Sequence, residues 1–338
     1  MERIGALLTG NPLDRPPFTL TLSLYGARFA GCSCRVYYSD PEAYAEGQRG
    51  VVKLCSPDIV FSPFALPLEA AAYGAVLEFP EKGPPYLKKP AYKSSQAMTV
   101  PNPCNIDASP HLSFLVRAAE KVAADQKGTR PVAAPILAPT DLPILLLGMD
   151  TWLEMLLFKP DEAKPWVQFA LDHFIKVAHA YATAGAAFLV TPVMLTNPAL
   201  VNPELAQKIL IPLLRDAFSQ LRIPIVFHHG GNRLGQNIRL FKELPNLAGF
   251  VIDERDSLSE ARQEIGPEML LLGNINGPFM LYRNLEDIKQ RTDSILKDRK
   301  GDPKFIFAST GADIPLETEE EKLITIRNTI AGSQGADR

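Results

Sequence analysis

The sequence predicts one α/β domain folded as a single parallel (β/α)8 barrel, a TIM barrel, and two observations lead to this fold class. Short, nearly continuous apolar runs of strand length alternate along the 338 residues with longer amphipathic stretches of helix length. Repeated βα units of this kind form parallel sheets, and eight of them predict closure into a barrel. The eight predicted strands are 18–23, 58–61, 132–137, 188–191, 225–229, 249–253, 269–273 and 305–308.

The alternative architecture is an open, doubly wound sheet, which commonly carries a glycine-rich dinucleotide-binding turn after its first strand. No G-x-G-x-x-G pattern follows the first predicted strand. A parallel barrel also accommodates the chain length, because such barrels commonly exceed about 250 residues as one domain. The closed barrel is therefore favoured over the open sheet.

Helix signals separate the predicted strands. Asp40-Pro41 supplies an N-cap residue followed by a proline in the first turn, and Asn202-Pro203 repeats this pair. Further amphipathic segments with helical periodicity cover 161–184, 257–265, 284–297 and 318–330.

The domain organisation expected from these elements is simple. One barrel should cover residues 1–332, with an excursion at about 76–110 that is rich in Pro, Lys and Ser and begins with a small hairpin near 76–79. Residues 333–338 should form a flexible tail.

Composition and charge exclude several classes of partner. The formal net charge is −3 and no block of Lys or Arg occurs, so nucleic acid is not an expected partner. The N-terminus lacks the apolar stretch of a signal peptide, and no apolar run is long enough to cross a bilayer. The four cysteines have no disulfide-framework spacing. We therefore expect a cytoplasmic protein with reduced thiols and no membrane partner.

The carboxyl ends of the strands are where a parallel barrel places its reactive groups. His228 and His229 end the fifth predicted strand and precede two glycines that allow close approach of a ligand or of backbone. Neighbouring strand residues face opposite sides, so only one imidazole should enter the lumen, as an acid/base group or a metal ligand. The alternative is a packed histidine that is hydrogen-bonded to the next strand.

Other polar residues at predicted strand ends are also candidates for the site. Asp253 follows the sixth strand and is a candidate catalytic residue, because buried polar groups at a barrel rim need partners. The candidate binding residues at this rim are Asn232, Asn274, Thr310 and Asp313.

The cysteine pair Cys32 and Cys34 has C-x-C spacing, which can hold a soft metal or supply a reactive thiol. More often such residues are small buried apolar side chains. Both interpretations remain open from the sequence.

Several short motifs follow one another along nearly the whole chain: Leu13-Asp14-Arg15-Pro16-Pro17, Asp58-Ile59-Val60, Leu68-Glu69-Ala70 with Gly74, Ala134-Pro135-Ile136-Leu137, Gly273-Asn274-Ile275 and Gly311-Ala312-Asp313-Ile314-Pro315 with Thr318. In order and spacing they resemble the uroporphyrinogen decarboxylase superfamily. That superfamily also contains the methylcobalamin:coenzyme M methyltransferases and related corrinoid-linked methyltransferases. The resemblance implies a barrel that binds a large tetrapyrrole-type ring at its mouth.

Part of this sequence resembles the decarboxylase branch of the superfamily. Members of that branch carry arginines after the first strand that hold substrate carboxylates. Of these arginines only Arg28 is matched here, with Tyr25 as a neighbouring candidate binding residue. Leu24 stands at the position of the first arginine. Asp58 aligns with the essential aspartate of the decarboxylases, which makes it a candidate catalytic residue by resemblance.

In the stretches between these motifs, this sequence resembles the methyltransferase branch more closely than the decarboxylase branch. The resemblance implies a zinc ion held by His-x-Cys after the fifth strand and by a cysteine near the eighth, which activates a thiol acceptor. His228 matches the histidine, but Gly230 and Ala312 stand at the two cysteine positions. A rearranged zinc site could use His228 or His229, Cys32 or Cys34, and Asp313.

Three functional hypotheses follow. The leading one is a corrinoid-linked methyltransferase that uses methylcobalamin on a partner corrinoid protein and a small non-thiol acceptor, with His228 or His229 and Asp253 or Asn274 moving a proton. The second is a decarboxylase of porphyrin biosynthesis. The third is a non-catalytic corrinoid- or porphyrin-binding accessory protein. The sequence does not predict the oligomeric state.

Overall fold

Eight parallel strands form one sheet in the computed structural model, which describes residues 2–92, 99–197 and 200–333. The strands of this sheet are β1 (Phe18–Thr19), β2 (Val60–Phe61), β5 (Val132–Pro135), β6 (Phe188–Pro192), β7 (Ile225–His228), β8 (Leu247–Val251), β9 (Leu270–Asn276) and β10 (Phe305–Thr310). Two further strands, β3 (Val76–Glu78) and β4 (Tyr86–Lys89), pair antiparallel as a hairpin.

The strand order is β1-β10-β9-β8-β7-β6-β5-β2, so that β1 and β2 meet at the seam of the sheet. The backbone N–H of Asp58 donates to the carbonyl of Phe18 at 2.8 Å, and the Thr19 hydroxyl donates to the carbonyl of Ile59 at 3.0 Å. These bonds cross the seam and bring the sheet round into a barrel. The predicted (β/α)8 fold is confirmed.

Helices surround the barrel on its outer face. They are α1 (Glu2–Thr9), α2 (Cys34–Tyr37), α3 (Pro41–Cys55), α4 (Pro67–Ala71), α5 (Pro110–Asp125), α6 (Leu142–Leu147), α7 (Met149–Phe158), α8 (Pro160–Thr183), α9 (Pro203–Leu205), α10 (Ile211–Ser219), α11 (Ile238–Phe241), α12 (Leu258–Ile265), α13 (Leu285–Asp298) and α14 (Glu320–Gly332). Asp40 accepts a hydrogen bond from the backbone N–H of Glu42, and Asn202 accepts one from the backbone N–H of Leu205 at 2.9 Å, so both predicted caps form. No helix in the described part of the chain is long and apolar enough to cross a membrane.

The barrel interior is filled with side chains rather than open. Alternate residues of the strands point inward and make an apolar column, because successive strand residues face opposite sides. Leu7 of α1 joins this column, so α1 closes the amino end of the barrel. The inward-facing residues of the column are Ile59, Phe61, Ala133, Val190, Val226, Val251, Leu272, Ile306 and Ala308.

Several element boundaries differ from those predicted. β7 ends at His228 and β8 at Val251, so His229 and Asp253 lie just beyond the strands. β9 continues to Asn276 because its partner β10 remains hydrogen-bonded to it as far as Thr310. Within the predicted excursion the hairpin β3–β4 forms, and α5 begins at Pro110. Of the predicted flexible tail, residues 334–338 lie outside the described residues.

Candidate functional site

The histidine pair lies at the carboxyl end of β7, where a two-glycine turn redirects the chain. Gly230 adopts a φ of +62°, and a Cβ there would lie 2.5 Å from the carbonyl oxygen of Val193. Only glycine permits both this backbone conformation and this close approach. The turn therefore locks the loop after β7 against the loop after β6 and fixes the direction of both imidazoles.

The two imidazoles stack on each other, with ring centroids 4.4 Å apart and planes inclined by 22°. His228 lines a void in the barrel lumen, and its Nδ1 accepts a hydrogen bond from the backbone N–H of Gly230 at 3.1 Å. We therefore assign the proton of neutral His228 to Nε2. Of the two imidazoles, that of His228 borders the lumen, because it lines this void.

His229 has contacts that compete for its proton. The Gly311 N–H lies 3.2 Å from Nε2, the Gly231 N–H lies 3.1 Å from Nδ1, and the Asp253 carboxylate lies 3.4 Å from Nδ1. Both ring nitrogens of a neutral imidazole cannot accept. The negative charge of Asp253 favours a proton on Nδ1, which leaves Nε2 to accept from Gly311.

Both imidazoles are uncharged near neutral pH. Burial lowers the pKa of His228 well below its ordinary value, and the adjacent His229 lowers it further. Burial also lowers the pKa of His229, although the Asp253 charge acts in the opposite direction. Uncharged imidazoles have the protonation state of a base, but the unprotonated nitrogens, Nδ1 of His228 and Nε2 of His229, already accept backbone N–H groups. His228 therefore accepts a proton from the lumen at Nε2 only after its proton moves to Nδ1 and the hydrogen bond from Gly230 breaks.

Asp253 supplies the negative charge of the site. Burial alone would raise its pKa, but hydrogen bonds from the side chain and backbone of Arg255 hold that pKa below its ordinary value. The guanidinium of Arg255 binds both carboxylate oxygens, with Nε–Oδ1 at 2.5 Å and Nη2–Oδ2 at 3.0 Å. Asp253 is therefore an ionised, oriented partner for His229.

Asn274 and Asn232 hold the loops around the histidines. The side-chain amide of Asn274 donates to the carbonyls of Asp253 and Asp256, both at 3.0 Å, and its oxygen accepts from Arg291 at 2.8 Å. The amide of Asn232 donates to Met194 O at 3.0 Å and to Gly230 O at 3.3 Å. Both predicted binding residues thus reach the rim, where their amides bind backbone of this chain.

Asp313 and Thr310 lie at the end of β10. Burial raises the pKa of Asp313 to about 7, even though its Oδ1 accepts a hydrogen bond from the backbone N–H of Leu24 at 2.9 Å. Asp313 therefore joins the segment after β10 to the loop after β1. Thr310 is buried in the same strand end.

The lumen beside His228 is nearly closed. A void of about 20 Å³ lies there, which is room for about one water molecule. Phe64, in the loop after β2, lines the same void, with its ring centroid 6.2 Å from that of His228. Phe64 is half-buried, so its side chain borders the void and also reaches solvent. A flat macrocycle does not fit inside this lumen.

Arg28 and Tyr25 tie the loop after β1 to the C-terminal segment. Nη1 of Arg28 donates to the carbonyls of Leu316 at 3.0 Å and Thr318 at 2.9 Å, and also contacts the Tyr25 hydroxyl at 2.9 Å. The Tyr25 hydroxyl donates to the same Thr318 carbonyl at 2.7 Å. The side chains to which the resemblance assigned ligand binding are therefore hydrogen-bonded to other parts of this chain.

Asp58 lies at the other end of the barrel. It precedes β2 and accepts hydrogen bonds from Arg3, from Arg15 at 2.7 Å and from the backbone N–H of Phe18 at 2.9 Å. It borders a pocket of about 720 Å³ at the amino end of the strands. The structure therefore does not bring Asp58 together with His228, and its contacts are those of a structural ion pair.

The described residues do not fit a zinc ion. Across residues 2–92, 99–197 and 200–333, no group of three or more His, Cys, Asp or Glu side chains is arranged to hold a metal. Burial raises the pKa of both Cys32 and Cys34, which keeps these thiols protonated rather than poised as thiolate ligands. The positions of Gly230 and Ala312 supply no replacement side-chain donor.

Two residues of the site were not singled out from the sequence. Asp141, after β5, accepts from the backbone N–H of Met194 at 2.6 Å and from the Thr140 hydroxyl at 3.0 Å, and burial raises its pKa to about 7. A polar residue soon after an apolar run was the available signal for it. Phe64 carries no comparable signal, because an apolar loop residue is not distinctive until the fold places it over a void.

Comparisons with known proteins agree with this architecture. The chain aligns over 97% of its length, and over 96% of the other chain, with the structure of a methyltransferase from Methanosarcina mazei, at 19% identity and a TM-score of 0.79. A B12-independent methionine synthase from Shewanella sp. W3-18-1, solved in complex with selenomethionine, aligns over 87% of this chain and 86% of that chain, at 13% identity and a TM-score of 0.54. At these identities the likeness concerns the fold.

Comparison by sequence assigns the family. No curated protein matches the sequence significantly. The profile described as uroporphyrinogen decarboxylase (URO-D) matches residues 1–332, which is nearly the whole chain. The chain therefore belongs to the uroporphyrinogen decarboxylase family.

Proposed function

We propose that this protein transfers a methyl group to a small acceptor at the carboxyl rim of the barrel, with the His228–His229 pair as the base. The methyl donor would be a corrinoid such as methylcobalamin, carried by a partner protein. Membership of the URO-D family and the fold shared with the Methanosarcina mazei methyltransferase support this proposal.

The observation that carries the proposal is a buried, uncharged imidazole pair beside an ionised carboxylate. The acceptor's lone pair forms the new bond to the methyl carbon, the electron pair of the broken donor bond stays with the donor, and the acceptor's proton passes to the imidazole pair. Asp253, 3.4 Å from His229, then stabilises the resulting positive charge. Because the stacked rings lie so close, repulsion between two positive charges allows the pair to take up only one additional proton.

The residues present favour an acceptor that is not a thiol. Thiol activation in the related branch depends on zinc, and the donor set around His228 does not fit that ion. An amine or hydroxyl acceptor must lose a proton, which is the task that a neutral imidazole performs. We therefore propose an amine or hydroxyl as the acceptor class.

Access to His228 requires movement of Phe64. The void beside His228 holds about one water, so an acceptor reaches the imidazole only when the Phe64 ring turns aside. The backbone N–H of Phe64 donates to the Ser23 hydroxyl at 2.8 Å, which favours a turn of the side chain over a movement of the backbone. The large donor would remain outside the lumen, above the rim.

The contacts of the decarboxylase residues do not support that alternative. Arg28 is engaged by backbone carbonyls, and Asp58 is paired with arginines at the opposite end of the barrel. Neither is directed at an acceptor beside His228.

The test is a single-turnover assay with methylcobalamin and a panel of amine, hydroxyl and thiol acceptors, followed through the corrinoid absorption spectrum. We expect transfer to an amine or hydroxyl, slowed about 100-fold or more in His228→Gln. His179→Gln, at an exposed position of α8, is the matched control and should keep the wild-type rate.

Absence of transfer to every acceptor, or equal rates for the wild type and His228→Gln, would contradict the proposal. Tight corrinoid binding without turnover, unchanged in His228→Ala, would instead support the accessory role.

A further inference from the structure

A second cavity opens at the carboxyl face of the barrel, outside the histidine site. It measures about 410 Å³ and lies between the end of β9, the turn after it and the first half of α13. Its floor is apolar and buried, formed by Ile275, Met280 and Ile288. Cavities that bind small molecules commonly measure about 300–1,000 Å³ and have an apolar lining.

An exposed aromatic pair stands at the edge of this cavity. Phe279 lines it and is 53% exposed, and Tyr282 beside it is 79% exposed. The rings meet edge to face with centroids 6.3 Å apart. Single exposed apolar residues are ordinary, but two adjacent rings above an apolar cavity are typical of a binding surface.

The cavity also carries positive charge that the fold does not use. Arg283 is exposed, and its guanidinium makes no hydrogen bond or ion pair with a described residue, since only its backbone N–H is bonded, to the Met280 carbonyl at 3.4 Å. Arg291 uses Nη2 to bind the backbone and side-chain oxygens of Asn274, and its Nε and Nη1 donate to no residue in the described part of the chain. Guanidinium groups placed in this way bind carboxylate, sulfonate or phosphate groups.

Two carboxylates, those of Glu254 and Asp287, line the cavity as well. A ligand that carried only negative charge would be repelled by them. A ligand that also bears N–H donors can satisfy both carboxylates while its anionic group binds the arginines.

From these contacts we propose that the cavity binds an aromatic ligand that bears one anionic group and N–H donors. The ring packs on Phe279, the anionic group binds Arg283 and Arg291, and the donors face Glu254 and Asp287. This inference does not depend on the proposed methyl transfer, because it concerns different residues and a binding equilibrium.

The probe is anilinonaphthalene sulfonate, which has an aromatic body, one anionic group and one N–H. We expect saturable binding at a single site on the folded wild type, followed by probe fluorescence. Affinity should fall about tenfold in Phe279→Ser and about tenfold in Arg283→Gln. The matched controls are Phe158→Ser, at a 77% exposed ring on α7, and Arg222→Gln, at an exposed arginine, and both should bind as the wild type does.

A neutral analogue without the sulfonate separates the contribution of charge. It should bind the wild type more weakly than the anion does, and Arg283→Gln should remove most of that difference. Equal affinity for the anion in the wild type, Phe279→Ser and Arg283→Gln would overturn the proposal. So would an equal loss of affinity in the two controls. Methyl transfer could still proceed in either case, so the two proposals fail separately.

Discussion

Replacing Asp313 with asparagine should change how the stability of the protein depends on pH. Burial raises the pKa of Asp313 from 3.8 to about 7. Because the folded-state pKa exceeds the unfolded value, the folded state holds the proton more tightly. The stability conferred by that proton is complete below the unfolded pKa and is lost as the pH rises through about 7.

The magnitude follows from the size of the shift. A shift of about 3 pKa units corresponds to about 4 kcal/mol, at about 1.4 kcal/mol per unit. Asparagine keeps an oxygen that can accept from Leu24 but does not ionise. Relative to the wild type, Asp313→Asn should therefore gain up to about 4 kcal/mol in free energy of unfolding between about pH 4 and about pH 8.

Urea denaturation at several pH values measures this difference directly. Asp141, whose pKa is also raised to about 7, contributes equally to both proteins and cancels. Asp293→Asn, at an exposed position of α13, is the control and should track the wild type at every pH. A difference between Asp313→Asn and the wild type that stays constant with pH would refute the reasoning.

Three other substitutions test separate parts of the structure. Phe64→Ala should open the lumen, so that benzene binds beside His228 in a crystal or by NMR, and a lumen that still excludes benzene would show that Phe64 does not close it. Asp58→Asn should lower the free energy of unfolding by about 3 kcal/mol while leaving the rate of methyl transfer unchanged, and a loss of rate at unchanged stability would give Asp58 a catalytic role. Gly230→Ala should cost at least about 2 kcal/mol in urea denaturation, because its Cβ would lie 2.5 Å from Val193 O, and wild-type stability would contradict this.

The barrel could be predicted from the sequence because buried parallel strands are recognisable as short apolar runs. All eight predicted runs overlap strands of the sheet, and the position of His228 at a strand end followed from the same pattern. Boundaries such as those at His229 and Asp253 were less accurate, since backbone hydrogen bonding rather than polarity decides where a strand ends.

Contacts between distant parts of the chain could not be predicted. The sequence pattern placed Asp58 at the start of a strand, which is the end of the barrel away from His228. The catalytic role expected for Asp58 came from the family resemblance alone. Arg28 is bound by carbonyls nearly 290 residues away, and nothing near it in sequence indicates this. Phe64 borders the lumen only because the loop after β2 folds beside it, which depends on the tertiary structure.

The pH profile of single-turnover methyl transfer is the most direct test of the proposal that the His228–His229 pair is the base. Because both pKa values lie below 6.5, the rate should be constant above about pH 6.5 and should fall as the pH decreases and the pair gains a proton. His228→Gln should lose most of the rate at every pH. A profile that stays flat as the pH falls, or one that His228→Gln leaves unchanged, would contradict the account.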